Sequence, residues 1–316
     1  MNRCFLYIAA AALLIAACNR EQQEEPPEVI TDNTITMTTQ ASEVSIGIDI
    51  PLGIDAGIFI DWGDGNVSNT NDALSHEMSY FGHQYRFSHS YSGVSEHHIT
   101  ITGDNIEAFG CYEQQITALD ISRYPTLKEL TCDKNQLTTL DVSRNTALTY
   151  LSCCTNQLTE LDVSHNTELK ELRCGNNQLT KLDASGATAL IDLSCLENQL
   201  TILDVSGATE LGILDCRYNQ LTKLDVSSAT ELEDLYCNNN QLTKLDMSSN
   251  TALKRLNCSN NQLITSALND LFGTLRSFYS YTKNNTYVSY LWIAGNPGTS
   301  DCDVSIVEEK GWYISR

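Results

Sequence analysis

Leu127-Lys128-Glu129-Leu130-Thr131-Cys132-Asp133-Lys134-Asn135-Gln136-Leu137-Thr138-Thr139-Leu140-Asp141-Val142-Ser143 decides the reading of this chain, because it returns with small changes every 21 residues. Cysteine stands at 111, 132, 153, 174, 195, 216, 237 and 258. Asparagine follows three positions later, from Asn135 to Asn261, with Gln114 in the first unit. Leucine comes two positions after that, from Leu137 to Leu263, with Ile116 first. The Leu-Asp-Val-Ser block that opens at Leu140 recurs as well, varied as Asp183-Ala184-Ser185 and Asp246-Met247-Ser248. On an extended segment Leu130 and Cys132 fall on one face, and residues 129, 131 and 133 on the other. A single unit cannot bury its own leucines. Eight units stacked about 4.8 Å apart make a parallel sheet roughly 35–40 Å long over one continuous core. The asparagine column is expected to turn its amides into the bend and satisfy backbone groups that have no ladder partner.

The unit Leu127-x-x-Leu130-x-Cys132-x-x-Asn135-x-Leu137 resembles a leucine-rich repeat, with cysteine in the slot of the third consensus leucine. The resemblance covers residues 106–263, about half the chain, and implies a right-handed solenoid, mainly β. The short period leaves little room for a helix on the far side, and Leu-Thr-x-Leu-Asp-Val-Ser alternates as a second strand would. Asp120, Asp141, Asp162, Asp183, Asp204, Asp225 and Asp246 then form an edge column. Such a row suggests calcium, but the glycine-rich spacing of calcium-binding repeats is missing. The alternative is hydrogen bonding to nearby turn amides or hydroxyls, Ser143 and Thr146 in the second unit. Stacked cysteines invite disulfides. A parallel ladder, however, sets their Cβ atoms slightly wider than a relaxed disulfide wants, and a small apolar thiol suits a tight interior. Cys154, next to Cys153, points outward and is expected to be an exposed reactive thiol.

Residues 34–105 lack the repeat and alternate as strands, among them Thr34–Met37, Val44–Ile50, Ile58–Ile60 and His98–Thr102. The turn Asp61-Trp62-Gly63-Asp64-Gly65 and the later His89-Ser90-Tyr91 resemble the PKD family of extracellular β-sandwiches. That resemblance implies a small sandwich whose edge covers the first coil, with Trp62 and Tyr91 in its core. His76, His83, His89, His97 and His98 cluster here without metal-site spacing, and on a strand His97 and His98 point to opposite faces. No metal and no cofactor is expected. Residues 264–316 read as a C-terminal α/β cap. It comprises a helix over Ser266–Leu275 with Ser266 as N-cap, a strand at Tyr290–Ala294, a turn at Gly295–Gly298 and a last strand at Gly311–Ile314.

Residues 1–17 carry one base, Arg3, and an apolar run from Cys4 to Ala17 that is too short to span a bilayer. Ile15-Ala16-Ala17-Cys18 resembles the lipobox of bacterial lipoproteins, which implies a lipid on Cys18; an ordinary secretory peptide is the alternative. Residues 18–33 are polar, acidic and proline-containing, an extended tether. The tether is also similar to the acidic export signal of surface lipoproteins of the Bacteroidetes type, which implies anchorage in the bacterial outer membrane, facing outward. The 316-residue chain has 40 acids against 19 bases, a net charge of −21. That excess excludes nucleic acid and a polybasic contact with membranes.

No Gly-x-Ser-x-Gly, phosphate loop or zinc motif occurs, and the carboxylates are spread along columns, so the chain reads as a non-enzyme. What varies between units is the outward strand face. Ahead of the inward leucine stand Ala108, Glu129, Tyr150, Glu171, Asp192, Ile213, Asp234 and Arg255. Between leucine and cysteine stand Gly110, Thr131, Ser152, Arg173, Ser194, Asp215, Tyr236 and Asn257. After cysteine come Tyr112, Asp133, Cys154, Gly175, Leu196, Arg217, Asn238 and Ser259. Tyr and Arg dominate interface energetics, and a face of a few hundred to about 1,000 Å² suits one side of a standard interface. Tyr150, Arg173, Leu196, Ile213, Arg217 and Tyr236 are the candidate anchors, with Asp215 and Asp234 setting charge complementarity. Resemblance to internalin-like and other bacterial surface repeat proteins implies adhesion to, or recognition of, an extracellular protein. A glycan ligand, or a structural coat role, is the alternative.

Overall fold

The computed structural model describes residues 33–51, 57–74, 85–93, 95–277 and 289–316. The signal segment, Cys18, all of the acidic tether but Asn33, and His76 and His83 lie outside the described residues. Asn33–Arg316 forms one compact unit.

Each coil contributes a three-residue strand, from Ala108–Gly110 to Arg255–Asn257, and neighbouring strands pair in parallel with the repeat in register: Leu130 opposite Leu151, Leu151 opposite Leu172, Leu235 opposite Leu256. The chain is a parallel-sheet solenoid of the leucine-rich-repeat kind, mainly β with few helices. The register follows from side-chain chemistry. Cys and, with Phe109 in its place in the first coil, Leu point inward and are fully buried in every coil, so a one-residue slip would carry them to solvent. The eight cysteines of the column are buried free thiols. Burial in the apolar core pushes Cys111 and Cys258 up to about 12 and those between them well above their ordinary value. They stay protonated and serve as small apolar wedges.

The asparagine column does what its position predicts. Asn177 donates from Nδ2 to the carbonyls of Cys153 in the preceding coil (3.0 Å) and its own Cys174 (3.1 Å). Its Oδ1 accepts from Leu158 N at 3.0 Å. The same pattern runs from Asn135 to Asn261, so one buried amide ties two coils at each bend. The Leu-Asp block is extended, and pairs as a second parallel ladder where Lys181–Asp183 meets Ile202–Asp204. All seven column aspartates accept, through Oδ1, the amide of the serine two residues on, as in Asp141 with Ser143 (2.9 Å) and Asp246 with Ser248 (2.9 Å).

The strands of the N-terminal segment form two sheets, and both are hydrogen-bonded to the first coil. Glu43–Asp49 pairs antiparallel with Ala108–Gly110 and with Tyr85–Ser90, extending the long sheet to twelve strands. Thr34–Thr39 pairs antiparallel with Ile116–Asp120 and His97–Thr102 in a five-stranded sheet that also holds Phe59–Asp61 and Val67–Asn69. The first coil's exposed backbone is thereby paired on both sides. Between the sheets lie Trp62, wholly buried, and Tyr91, whose hydroxyl donates to Trp62 O at 2.8 Å. His97 stacks on Tyr91, while His98 sits 3.0 Å from Thr38 Oγ1 on the neighbouring strand.

At the other end the sheet runs past Leu263. Ser289–Trp292 and Trp312–Ser315 add two more parallel strands. Ile293 takes the cysteine slot, and Asn296 repeats the asparagine bonds, donating to Cys258 O and Ile293 O, both at 2.9 Å. The helix spans Thr265–Thr274, and Ser266 lies inside its first turn rather than at the cap. Ile264 occupies the cap position because its carbonyl already accepts Leu268 N (2.9 Å), and it contributes no side-chain bond. Lys310 closes the helix's far end by donating to the carbonyls of Phe272, Gly273 and Leu275. No helix among the described residues is long and apolar enough to cross a membrane.

Candidate functional site

Because leucine and cysteine fill the core, the alternate side chains of twelve strands form one continuous outward face. The ladder sets its rows: Tyr150, Glu171, Asp192, Ile213, Asp234, Arg255, Tyr290 and Tyr313 stand in register, and beside them Ser152, Arg173, Ser194, Asp215, Tyr236, Asn257 and Trp292.

Most charges on this face are paired locally. Lys128 bridges to Glu107 on the preceding coil, and Lys254 to Glu233 at 2.6 Å. Arg255 grips Asp234 through both Nε and a terminal nitrogen, and Asp234 is buried beneath it. Arg173 pairs with Glu171 on its own strand, and Arg217 lies 3.2 Å from Asp215. Burial, with neighbouring Glu171 adding to it, raises Asp192; burial also raises Asp215, which Arg217 partly offsets.

Apolar side chains stand among these pairs on the central coils. Tyr150 is half-buried, and Ile213 is 37% exposed. Leu196 lies down on the preceding coil, where Gly175 leaves it room: a β-carbon at Gly175 would stand 3.1 Å from Leu196 Cγ. Ile191, 45% exposed at the margin of the face, accepts the amides of Gly212 and Ile213 through its carbonyl.

The structure thus brings Tyr150, Leu196 and Ile213 to the central coils, with Arg173, Asp215 and Arg217 among them in ion pairs. Asp234 sits under Arg255, and Tyr236 stands next to Asp215 toward the C-terminal end. Sequence reading missed Ile191, although its column (Lys128, Thr149, Lys170, Ile191, Gly212) shows one apolar departure. It also missed Tyr290, Trp292 and Tyr313 as members of the face; the Tyr-Leu-Trp-Ile alternation at 290–293 carries the signal. One expectation is corrected. Cys154 does occupy the outward column, but it is half-buried, and burial with nearby Asp133 pushes its thiol up to about 11. It is not an exposed reactive thiol.

Away from the strand face, a groove of about 660 Å³ runs between Lys223–Asp246 and the helix Thr265–Thr274, and a smaller one of about 480 Å³ follows Asp120, Asp141 and Asp162. Among the described residues no group of three or more His, Cys, Asp or Glu side chains is arranged to hold a metal ion.

The fold and this face define a solenoid of leucine-rich repeats with a stacked cysteine column. Among solved structures the chain is similar to the functional domain of InlJ from Listeria monocytogenes, which includes a cysteine ladder. Identity is 36% over 66% of this chain and 49% of that one, with a TM-score of 0.54. The chain therefore spans about half the length of that domain. Other neighbours are a leucine-rich-repeat protein from Leptospira interrogans (22% identity, 62% of this chain and 56% of that one, TM-score 0.48) and internalin C2 from Listeria monocytogenes (24%, 52% and 77%, TM-score 0.47). No family model matches the chain, and no curated protein matches it.

Proposed function

We propose that this is a non-catalytic recognition protein of the bacterial cell envelope that binds an extracellular protein, on a host or neighbouring cell, through the strand face of its solenoid. Lipid on Cys18 and the acidic tether of residues 18–33 would hold it at the outer membrane, with the solenoid and its PKD-like sandwich displayed outward. The observation that carries the binding role is the anatomy of the face. Tyr150, Leu196 and Ile213 set apolar side chains on the central coils, with Ile191 at the margin. The charges among and around them are already paired, as in Arg173–Glu171, Arg217–Asp215, Lys128–Glu107 and Arg255–Asp234. Protein interfaces draw most of their energy from a few such aromatic and aliphatic side chains, while truncating a locally paired, solvent-exposed charge costs little. The similarity to InlJ, itself a repeat domain with a cysteine ladder, supports the reading.

The test is a binding screen of the purified chain against a panel of extracellular proteins, with Tyr150→Ala/Ile213→Ala and Lys128→Ala run in parallel. The double variant should weaken any hit by about tenfold or more, and Lys128→Ala by less than about threefold. A hit that both variants bind as tightly as the parent protein would refute the central assignment.

A further inference from the structure

The C-terminal end of the same face has a different chemistry from its centre. Tyr290 and Trp292 lie side by side with ring centroids 5.6 Å apart and planes inclined by 17°, and Tyr313 meets Tyr290 edge-on at 5.8 Å. These rings are not core: Tyr290 is 39% exposed and Tyr313 60%. The inward side chain between the first two, Leu291, is wholly buried and already fills the core beneath them.

Amide groups accompany the rings. Asn257 is the ladder partner of Trp292; its Oδ1 accepts Ser259 N at 3.1 Å, and among the described residues its Nδ2 has no acceptor. One coil further back Asn238 is buried, and its Oδ1 has no hydrogen-bond partner. The charges bordering the patch, Asp234 and Arg255, neutralise each other.

We propose that this end of the face is a binding site for a neutral oligosaccharide. Tyr290, Trp292 and Tyr313 supply the platform on which the C–H face of a pyranose ring rests, and Asn257, half-buried beside Trp292, bonds its hydroxyls. Aromatic rings present a negative face to C–H groups, and a side-chain amide offers both donors and an acceptor to hydroxyls. Neutrality follows from charge. The paired Asp234 and Arg255 offer nothing to an ionic group, and the chain's net charge of −21 repels uronic or sulfated polymers. The site shares no residue with the set proposed for protein recognition, so either can fail alone.

The experiment titrates the full chain with cello-, xylo-, manno- and laminarihexaose, and with oligogalacturonate and a sulfated heparin hexasaccharide, reading tryptophan fluorescence and calorimetric heat. At least one neutral hexaose should bind. Tyr313→Ala and Trp292→Ala should each weaken it by about tenfold or more, Trp292→Phe by about threefold or less, and Tyr150→Ala not at all. Tyr313 is largely exposed, so its variant keeps the parent thermal midpoint and isolates binding from folding. Absence of binding to all four neutral sugars overturns the proposal. So does undiminished binding by Tyr313→Ala, or tighter binding of either acidic oligosaccharide.

Discussion

Asn198 shows what one side chain does in this fold. Its Nδ2 donates to Cys174 O (3.0 Å) and Cys195 O (3.2 Å), and its Oδ1 accepts Leu179 N (3.0 Å), all in the interior. The bend it holds is a demanding one. Two residues after each cysteine the backbone turns left-handed, with φ between 51° and 58° from Glu113 to Asn260, and glycine never fills the position. At Thr155, β-branched and with φ of 55°, that conformation is costly and needs support from its surroundings. Removing the amide leaves buried backbone groups in two coils without partners, and each such group costs about 1–3 kcal/mol. Asn198→Ala should therefore lower unfolding free energy by about 3 kcal/mol, and Asn198→Asp by at least as much, because a carboxylate keeps the acceptor but loses the donors. Urea denaturation of the two variants measures this, and a loss under about 1 kcal/mol would show that solvent replaces the ladder.

At the level of elements, the aspartate column links the Leu-Asp block to pH. Bonds from serine, the hydroxyl foremost, hold Asp141 and Asp183 below the ordinary carboxylate value; for Asp162, Asp225 and Asp246 the serine amide comes first. A carboxyl lowered by folding stabilises the fold above its unfolded value, and that contribution disappears as pH falls through the folded one. Asp192 and Asp215 on the strand face, raised by burial, act with the opposite sign and favour the fold as they protonate. Replacing Asp141, Asp162, Asp225 and Asp246 by Asn should lower the urea midpoint at about pH 6, and the gap from the parent protein should close between about pH 4 and pH 2. A gap constant across that range would mean the column is held by geometry without its charge. This column, like the leucines, cysteines and asparagines, was legible in the sequence because the same physical demand recurs at each turn of the coil. The C-terminal strands were legible as strands but not as further coils. The helix Thr265–Thr274 stretches the interval from Asn261 to Asn296 to 35 residues, and Ile293 replaces cysteine, so the period disappears while the packing rule persists. Of the face, the outward placement of Tyr150, Leu196 and Ile213 could be read from alternation. The burial of Asp234 under Arg255 depends on side-chain reach between coils, which no column records.

For the molecule as a whole, the decisive feature is that no break in hydrogen bonding separates the N-terminal strands from the solenoid. Glu43–Asp49 and Thr34–Thr39 each pair with a strand of the first coil, and the core passes without interruption from Trp62 and Phe109 to Leu271 and Trp312. Repeat proteins fold as sums of unit stabilities and neighbour couplings, and they lose two-state behaviour when one coupling is weak. Here the junction has the same kinds of coupling as the coils, a backbone ladder and a shared apolar core, and therefore the end strands should melt with the middle. The three tryptophans stand at the two ends, Trp62 among the N-terminal strands and Trp292 and Trp312 in the last strands, so each end has its own reporter. In a Trp292→Phe/Trp312→Phe variant the fluorescence of Trp62 should unfold at the same urea midpoint as far-UV circular dichroism. Trp62→Phe should give the complementary coincidence for the far end. Within either variant, a gap of more than about 0.5 M between the two probes would place a weak coupling between the N-terminal strands and the coils, and the long sheet would then be two folding units joined by a ladder that does not transmit stability.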